Sequence, residues 1–265
     1  MLTLLAQLAA AAGDVEGNAA RLADSLERHP EVDLAVFPEL FLCGYALADL
    51  ASGARPLDAP ELGVVAEAAA RHRTAVVVGF AEAHAGRVAN SAACIDERGE
   101  LVGVYRKAQL FGGERRHFVP GEELLVAPLA GRRVGVLICF DVEFPELARQ
   151  LALAGADLLV TVSANMEPYY ADHELATRAR ALDNRLPHLY ANLVGAAEGL
   201  EFVGGSRSIG PDGEVLAESA HRREELLVAP VPPAGRPADE VVDYLAAVPP
   251  PLAVVATYEQ PDPTH

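Results

Sequence analysis

The order of strand-like and helix-like segments runs through the chain twice, and this repetition limits the available architectures more than any other feature. Apolar, β-rich runs lie at 2–8, 33–37, 75–80, 133–139, 157–163 and 189–195. Between them, 17–29, 61–72, 145–154 and 173–184 have helical spacing. Ala20, Leu22 and Leu26 fall to one side of the first, and Leu62, Val65 and Ala69 to one side of the second. The third opens on Pro145 and stops at Gly155, the start and stop signals of a helix. Each half therefore reads strand, helix, strand, helix, strand, then a strand–turn–strand segment.

The local text repeats as well. Asp33-Leu34-Ala35-Val36 has its counterpart in Asp157-Leu158-Leu159-Val160. The stretch from Asn90 to Val102 matches that from Gly205 to Ala217, each with a Gly-Glu turn between apolar runs, a hairpin signal. Two mixed sheets satisfy this order if each carries helices on one outer face and the two pack through their other faces. Neither half buries both faces alone, so the reading is one α/β domain over residues 1–231 with a pseudo-twofold repeat. The alternative is two doubly wound domains side by side. From 232 to 265 prolines recur (Pro232, Pro233, Pro237, Pro249, Pro250, Pro251, Pro261, Pro263) around a single helical stretch at 239–247. That composition predicts an arm lying on the domain or on a partner subunit.

Charge and cysteine usage exclude several functions. Lys plus Arg is 21 against 38 Asp plus Glu, a net charge of −17, and no basic run exceeds two residues. Nucleic acid and anionic membrane surfaces are therefore poor partners. Cys43, Cys94 and Cys139 are too few for a disulfide framework or a four-cysteine zinc site, which points to a reducing, cytoplasmic setting. The apolar start, 1–12, lacks the positive region of a signal peptide, and no apolar run approaches the ~20 residues that span a bilayer. No His-x-His pair suggests a metal site, no Gly-x-Ser-x-Gly a serine hydrolase, and no Gly-x-Gly-x-x-Gly a nucleotide site, so neither metal nor cofactor is expected.

Reactive groups in open α/β sheets collect beyond the carboxyl ends of strands. Glu39 follows the run ending Val36-Phe37-Pro38, Lys107 closes Val104-Tyr105-Arg106, and Cys139 ends Val134-Gly135-Val136-Leu137-Ile138. Each has an ordinary reading: a surface carboxylate, a solvated lysine, a small buried hydrophobe. The text after Cys139 (Phe140-Asp141-Val142-Glu143-Phe144-Pro145-Glu146) crosses from strand to helix within a few residues. Such a turn lifts the sulfur to the sheet edge and aims backbone N–H groups at the same point.

The combination resembles the nitrilase superfamily of carbon–nitrogen hydrolases over nearly the whole chain. The residues that carry it are Val36-Phe37-Pro38-Glu39 with Cys43-Gly44-Tyr45, Tyr105-Arg106-Lys107 with Leu110-Phe111-Gly112-Gly113-Glu114 and Phe118-Val119-Pro120-Gly121, and the Cys139 to Glu146 text. Arg178 to Asn184 and Gly204-Gly205-Ser206 continue it, while Gln109 stands where relatives often carry His. The resemblance implies a four-layer αββα sandwich, a homo-oligomer of two or more copies, and a Cys139 nucleophile. Glu39 would serve as base, Lys107 and the Phe140 N–H would form the oxyanion hole, and Glu114 would orient Lys107 or the substrate nitrogen. The text around Asn165-Met166 is similar to the stereoselective amidase branch, which places Tyr45, Asn165, Met166 and Tyr169 around a small amide substrate. Asp141, Glu143 and Glu146 follow Cys139 with no Lys or Arg among them, which disfavours carboxylate-bearing substrates. Within the same family the alternatives are hydrolysis of N-carbamoyl amides or nitriles; outside it, a non-catalytic scaffold with a buried cysteine.

Overall fold

The computed structural model of the chain describes residues 1–45, 47, 50–235 and 245. The first half contains β1 (Leu2–Gln7), α1 (Val15–Arg28), β2 (Leu34–Val36), the short α2 (Leu50–Gly53), α3 (Pro60–His72), β3 (Ala75–His84), β4 (Arg87–Ile95) and β5 (Leu101–Arg106). The second contains β6 (Val126–Leu129), β7 (Arg132–Ile138), α4 (Pro145–Leu153), β8 (Leu158–Ser163), α5 (Tyr170–Asn184) and β9 (His188–Asn192). There follow β10 (Val194–Ala197), β11 (Leu200–Val203), β12 (Arg207–Ile209), β13 (Val215–Glu218) and β14 (Glu225–Pro230).

Helix starts follow local chemistry. Asp14 caps α1 by accepting the Gly17 N–H at 3.0 Å. Pro60 and Pro145 open α3 and α4, where a missing N–H costs nothing.

Two six-stranded mixed sheets result, ordered β14-β1-β2-β3-β4-β5 and β13-β12-β9-β8-β7-β6. Strands β1, β2 and β3 are parallel neighbours, as are β7, β8 and β9, and the remaining pairings within both sheets are antiparallel. Laid over one another, β2 corresponds to β8 and β4 to β12, the same pairs the repeated text brings together.

Strand alternation sorts the side chains into layers. Leu5, Leu34, Val36 and Val77 from the first sheet meet Val136, Ile138, Val160 and Leu189 from the second in one shared core. Their neighbours Leu4, Ala35, Val76 and Val78 face the other way, onto Leu22 and Leu26 of α1 and Val65 and Ala69 of α3. Leu137 and Leu159 likewise turn outward, onto Ala148 and Leu151 of α4. The result is an αββα sandwich; a core shared by both sheets excludes two independent doubly wound domains.

Two features depart from the segment reading. The run at 189–195 is not one strand: β9 ends at Asn192, and β10 pairs with β11 as a separate two-stranded ribbon that has no counterpart among the described residues of the first half. Gly195 sits there at φ 93°, a left-handed conformation that an apolar-run count does not register. Of the arm at 232–265, residues 232–235 lie against the second half, with the Pro232 carbonyl accepting from Arg132 and the Gly235 N–H donating to the Arg185 carbonyl. Leu245 packs against the outer core of the second half, the cluster that includes Leu137, Leu159 and Leu151. The helical stretch at 239–247 otherwise lies outside the described residues.

Candidate active site

Three chain reversals bring the reactive groups together. Beyond β2, the turn carrying Glu39 is gripped by β3: the Gly79 N–H donates to the Pro38 carbonyl at 3.1 Å, and the Leu42 N–H donates to the Gly79 carbonyl at 3.1 Å. A Cβ on Gly79 would stand 2.4 Å from that same Pro38 oxygen, so the close approach requires glycine. Lys107 sits one residue past β5, its N–H bonded to the Asn90 carbonyl at 2.8 Å. Cys139 leaves β7 at φ 47° and opens a 3₁₀ turn, Cys139–Glu143. This is the sharp strand-to-turn junction expected from sequence, and a positive φ at a non-glycine residue is backbone strain concentrated on the sulfur-bearing position.

Asp141 holds that turn in place. Its carboxylate accepts from the Ile138 N–H (3.0 Å), the Tyr105 hydroxyl (2.8 Å) and the Gln109 N–H (2.8 Å). It therefore ties the Cys139 turn to the segment bearing Lys107, rather than capping α4, whose N-cap is Phe144. Burial pushes its carboxyl up to about 6, an effect opposed by the Gln109, Tyr105 and Ile138 donors.

Glu39, Lys107 and Glu114 form a desolvated cluster, with exposures of 0%, 1% and 1%. The Lys107 ammonium donates to Glu39 Oε1 at 2.7 Å and to both oxygens of Glu114 at 3.0 and 2.9 Å. Burial alone would pull the ammonium down; Glu39 and then Glu114 outweigh it and hold Lys107 well above its usual value. Glu39 also accepts from the Asn90 amide at 2.7 Å and, across the sheets, from the Ala164 N–H at 2.8 Å. Three of its roughly four lone-pair sites are thus filled and one is open. Glu114 is fixed further by the Tyr45 hydroxyl at 2.9 Å and the Phe111 N–H at 2.8 Å.

Cys139 shares a cavity with Lys107 and Glu114 and is not sealed inside aliphatics. Its thiol is held well above the ordinary value, first by burial and then by the Glu39 charge, against the pull of Lys107 and a hydrogen bond from Ser163. Lys107 favours the thiolate, yet in the resting site burial outweighs it. The Phe140 N–H, second in the 3₁₀ turn, has no intrahelical acceptor available.

The cavity is narrow and opens to solvent at its mouth. All four residues expected to contact substrate line it, in different ways. Tyr45 presents its ring, its hydroxyl being committed to Glu114. Asn165 spends its amide N–H on the Tyr169 carbonyl at 3.2 Å, while its buried Oδ1 has no partner. Met166 and Tyr169 complete that wall, with the Tyr169 ring edge-on to Phe111 at 5.4 Å. Phe111, Glu143 and His173 also line the cavity. The sequence contained no periodic signal for His173, which reaches the site only because α5 packs over the 3₁₀ turn. Glu146, counted with the acidic stretch, is not among the lining residues. Among the described residues, no group of three or more His, Cys, Asp or Glu is arranged to hold a metal ion, and no helix is long and apolar enough to cross a membrane.

An αββα sandwich with a cysteine at a strained strand end, opening on a cavity beside a buried carboxylate–ammonium cluster, defines a class of hydrolase. The chain belongs to the carbon–nitrogen hydrolase family, whose family model matches residues 5–236. It is 40% identical over 225 residues to an (R)-stereoselective amidase from Pseudomonas sp., covering 84% of this chain and 81% of that one. Among solved structures, it is similar to the amidase from Nesterenkonia sp. AN1. A cysteine-to-alanine variant of that amidase in complex with butyramide matches at TM-score 0.82 and 32% identity, covering 93% of each chain. A glutamate-to-glutamine variant, with the acetamide moiety of fluoroacetamide added covalently at its active-site cysteine, matches at TM-score 0.83 and 31% identity, covering 94% of this chain and 93% of that one.

Proposed function

We propose that the protein is an amidase that hydrolyses a small non-peptide carboxamide to acid and ammonia through a thioester on Cys139. The observation that carries this reading is a thiol that lines a cavity together with the Lys107 ammonium and feels the charge of Glu39, which Lys107 binds at 2.7 Å. Glu39 takes the Cys139 proton as sulfur bonds to the amide carbon. The new oxyanion is met by the Phe140 N–H and by Lys107, which releases one of its two bonds to Glu114 to do so. One such donor typically contributes ~3 kcal/mol to the transition state. Glu39 passes its proton to nitrogen, the C–N bond breaks, and ammonia leaves. Glu39 then deprotonates water, whose oxygen attacks the thioester; the C–S bond breaks and the proton returns to sulfur. Glu114, bonded to Lys107, Tyr45 and Phe111, keeps the ammonium in register throughout.

Charge narrows the substrate. Lys107 is the single Lys or Arg among the described lining residues, and two carboxylates already hold it. Glu143 adds a third negative group, and Asn165 Oδ1 offers an acceptor. A substrate carboxylate would enter without a counter-ion, whereas a neutral or amine-bearing amide meets acceptors and aromatic faces. The carboxamides carried by the Nesterenkonia enzyme support a ligand of this size.

The test is a substrate panel of butyramide, an N-carbamoyl amino acid and butyronitrile, with Cys139→Ala alongside. The reading expects release of ammonia from butyramide, little turnover of the other two, and none by Cys139→Ala. Preference for the carbamoyl amino acid would overturn the charge argument, and full activity in Cys139→Ala would overturn the thioester.

A further inference from the structure

A second group of buried polar residues ends on the same sulfur and takes no part in the reaction as described. The parallel register pairs Ile138 with Val162, so Cys139 and Ser163 leave adjacent strands side by side. That register sets the Ser163 hydroxyl beside the Cys139 thiol, where it opposes the upward push of burial. The Tyr190 hydroxyl donates to Ser163 Oγ at 3.0 Å, and His173 Nδ1 lies 2.9 Å from the same Tyr190 oxygen. On the far side of the ring, His173 Nε2 faces Glu143 Oε1 at 3.3 Å. Ser163, Tyr190 and His173 are buried, while the Glu143 side chain is 31% exposed at the cavity. Thiol, hydroxyls and imidazole can each donate and accept, so the links from Cys139 to His173 can reverse, while Glu143 accepts throughout.

We propose that Ser163, Tyr190, His173 and Glu143 form a proton wire that ends on Cys139 and sets the ionisation of its thiol in the free enzyme. The inference rests on the reading of Cys139 as nucleophile. In one orientation Cys139 S–H donates to Ser163, Ser163 to Tyr190, Tyr190 to His173 Nδ1, and Nε2–H to Glu143. When each proton moves one place along the wire, Cys139 becomes a thiolate that accepts from Ser163. His173 then carries both ring protons as an imidazolium beside the Glu143 carboxylate. One S–H bond is broken, one N–H bond is made, and charge is conserved.

Other charged groups frame both ends. Glu39, Lys107 and Glu114 face the sulfur. The Arg207 guanidinium lies 5.2 Å from the Tyr190 ring centre, with Tyr170 and Glu218 beyond it, and Glu143 faces the imidazole. During turnover, the proton leaving the thiol is the one Glu39 delivers to nitrogen. There the wire acts through the Ser163 hydrogen bond, and Tyr190 and His173 are positioning residues.

The experiment is the rate of Cys139 alkylation by iodoacetamide from pH 5 to 10, in wild type, Tyr190→Phe and Glu143→Gln, with peptide mapping to confirm the site. Wild type is expected to show two inflections, one where thiol plus imidazolium lose a proton to give the thiolate–imidazolium pair and one, at higher pH, where the pair loses the imidazolium proton. Tyr190→Phe, which touches neither Glu39 nor Lys107, is expected to keep a single high inflection and to react about tenfold or more slowly at pH 7, the equivalent of one pKa unit. Glu143→Gln, on the rim and safe for folding, is expected to lower the neutral plateau even if Tyr190→Phe proves unstable. Wild-type profiles in the folded variants would overturn the wire and leave the thioester reading standing. A wild-type Cys139 inert at every pH would overturn both.

Discussion

Removing the ammonium from the centre of the site is predicted to damage stability as well as activity. Lys107 serves two carboxylates at 2.7 and 2.9 Å, and all three groups are withdrawn from water. Lys107→Met keeps the length of the stem and leaves Glu39 and Glu114 facing one another in a desolvated space. Breaking a buried ion pair from one side typically costs 3–5 kcal/mol, and one cation shared by two anions argues for the upper end, about 5 kcal/mol. In a chain of this size that corresponds to a drop in Tm of roughly 10–20 °C. The variant can relieve the repulsion by binding a proton, which raises a carboxyl value in the folded state above its unfolded one. By linkage, its stability is then greatest at low pH and is lost as pH rises through the raised value. The assay is urea unfolding from pH 5 to 8 followed by far-UV circular dichroism, since the chain has no Trp to report by fluorescence. A triple variant, Lys107→Met with Glu39→Gln and Glu114→Gln, should regain most of the loss and remain inactive. A Lys107→Met protein that unfolds at the wild-type midpoint at all pH values would refute the ionised cluster.

Three further outcomes follow from neighbouring residues. Gly79→Ala should displace the Glu39 turn, because its Cβ would lie 2.4 Å from the Pro38 oxygen; a misplacement near 1 Å costs about 100-fold, read as kcat/KM for butyramide. Asp141, raised from 3.8 to about 6 by burial, contributes stability that is present below pH 4 and lost as pH rises through 6. The unfolding free energy of wild type minus that of Asp141→Asn should therefore fall by up to about 3 kcal/mol between pH 4 and 7. Glu143→Gln should lower the preference for 2-aminobutyramide over butyramide about three- to tenfold, the discount reflecting its partial exposure, and an unchanged ratio would remove Glu143 from amine recognition.

The repeat made the sandwich legible before any coordinates, because strand and helix periods are local and the two halves spell them in the same order. Glu39, Lys107 and Cys139 were legible for a related reason: each ends a strand-like run, and strand ends converge. What sequence could not show is how the polar atoms are shared. The Glu39 contact to Ala164 spans 125 residues, and nothing in the spacing says that three donors already occupy that carboxylate. Nor could spacing reveal that Tyr45 lends its hydroxyl to Glu114. Asp141 stands just before α4, where a helix cap would, yet two of its three donors, Tyr105 and Gln109, lie more than 30 residues upstream. Ser163, Tyr190 and His173 look like ordinary strand and helix residues, and only the register of β7, β8 and β9 beneath α5 lines them up behind the sulfur. The β10–β11 ribbon was hidden for another reason: the chain changes partner at Leu193, between β9 and β10, inside what composition presents as one continuous strand.

The direct test of the central claim is intact-protein and peptide mass spectrometry on enzyme quenched in acid during turnover of butyramide. A butyryl group on the peptide containing Cys139, formed within one turnover and lost at the rate of product release, is the predicted result. An acyl group on another residue, or product released at full rate with Cys139 never modified, would contradict it.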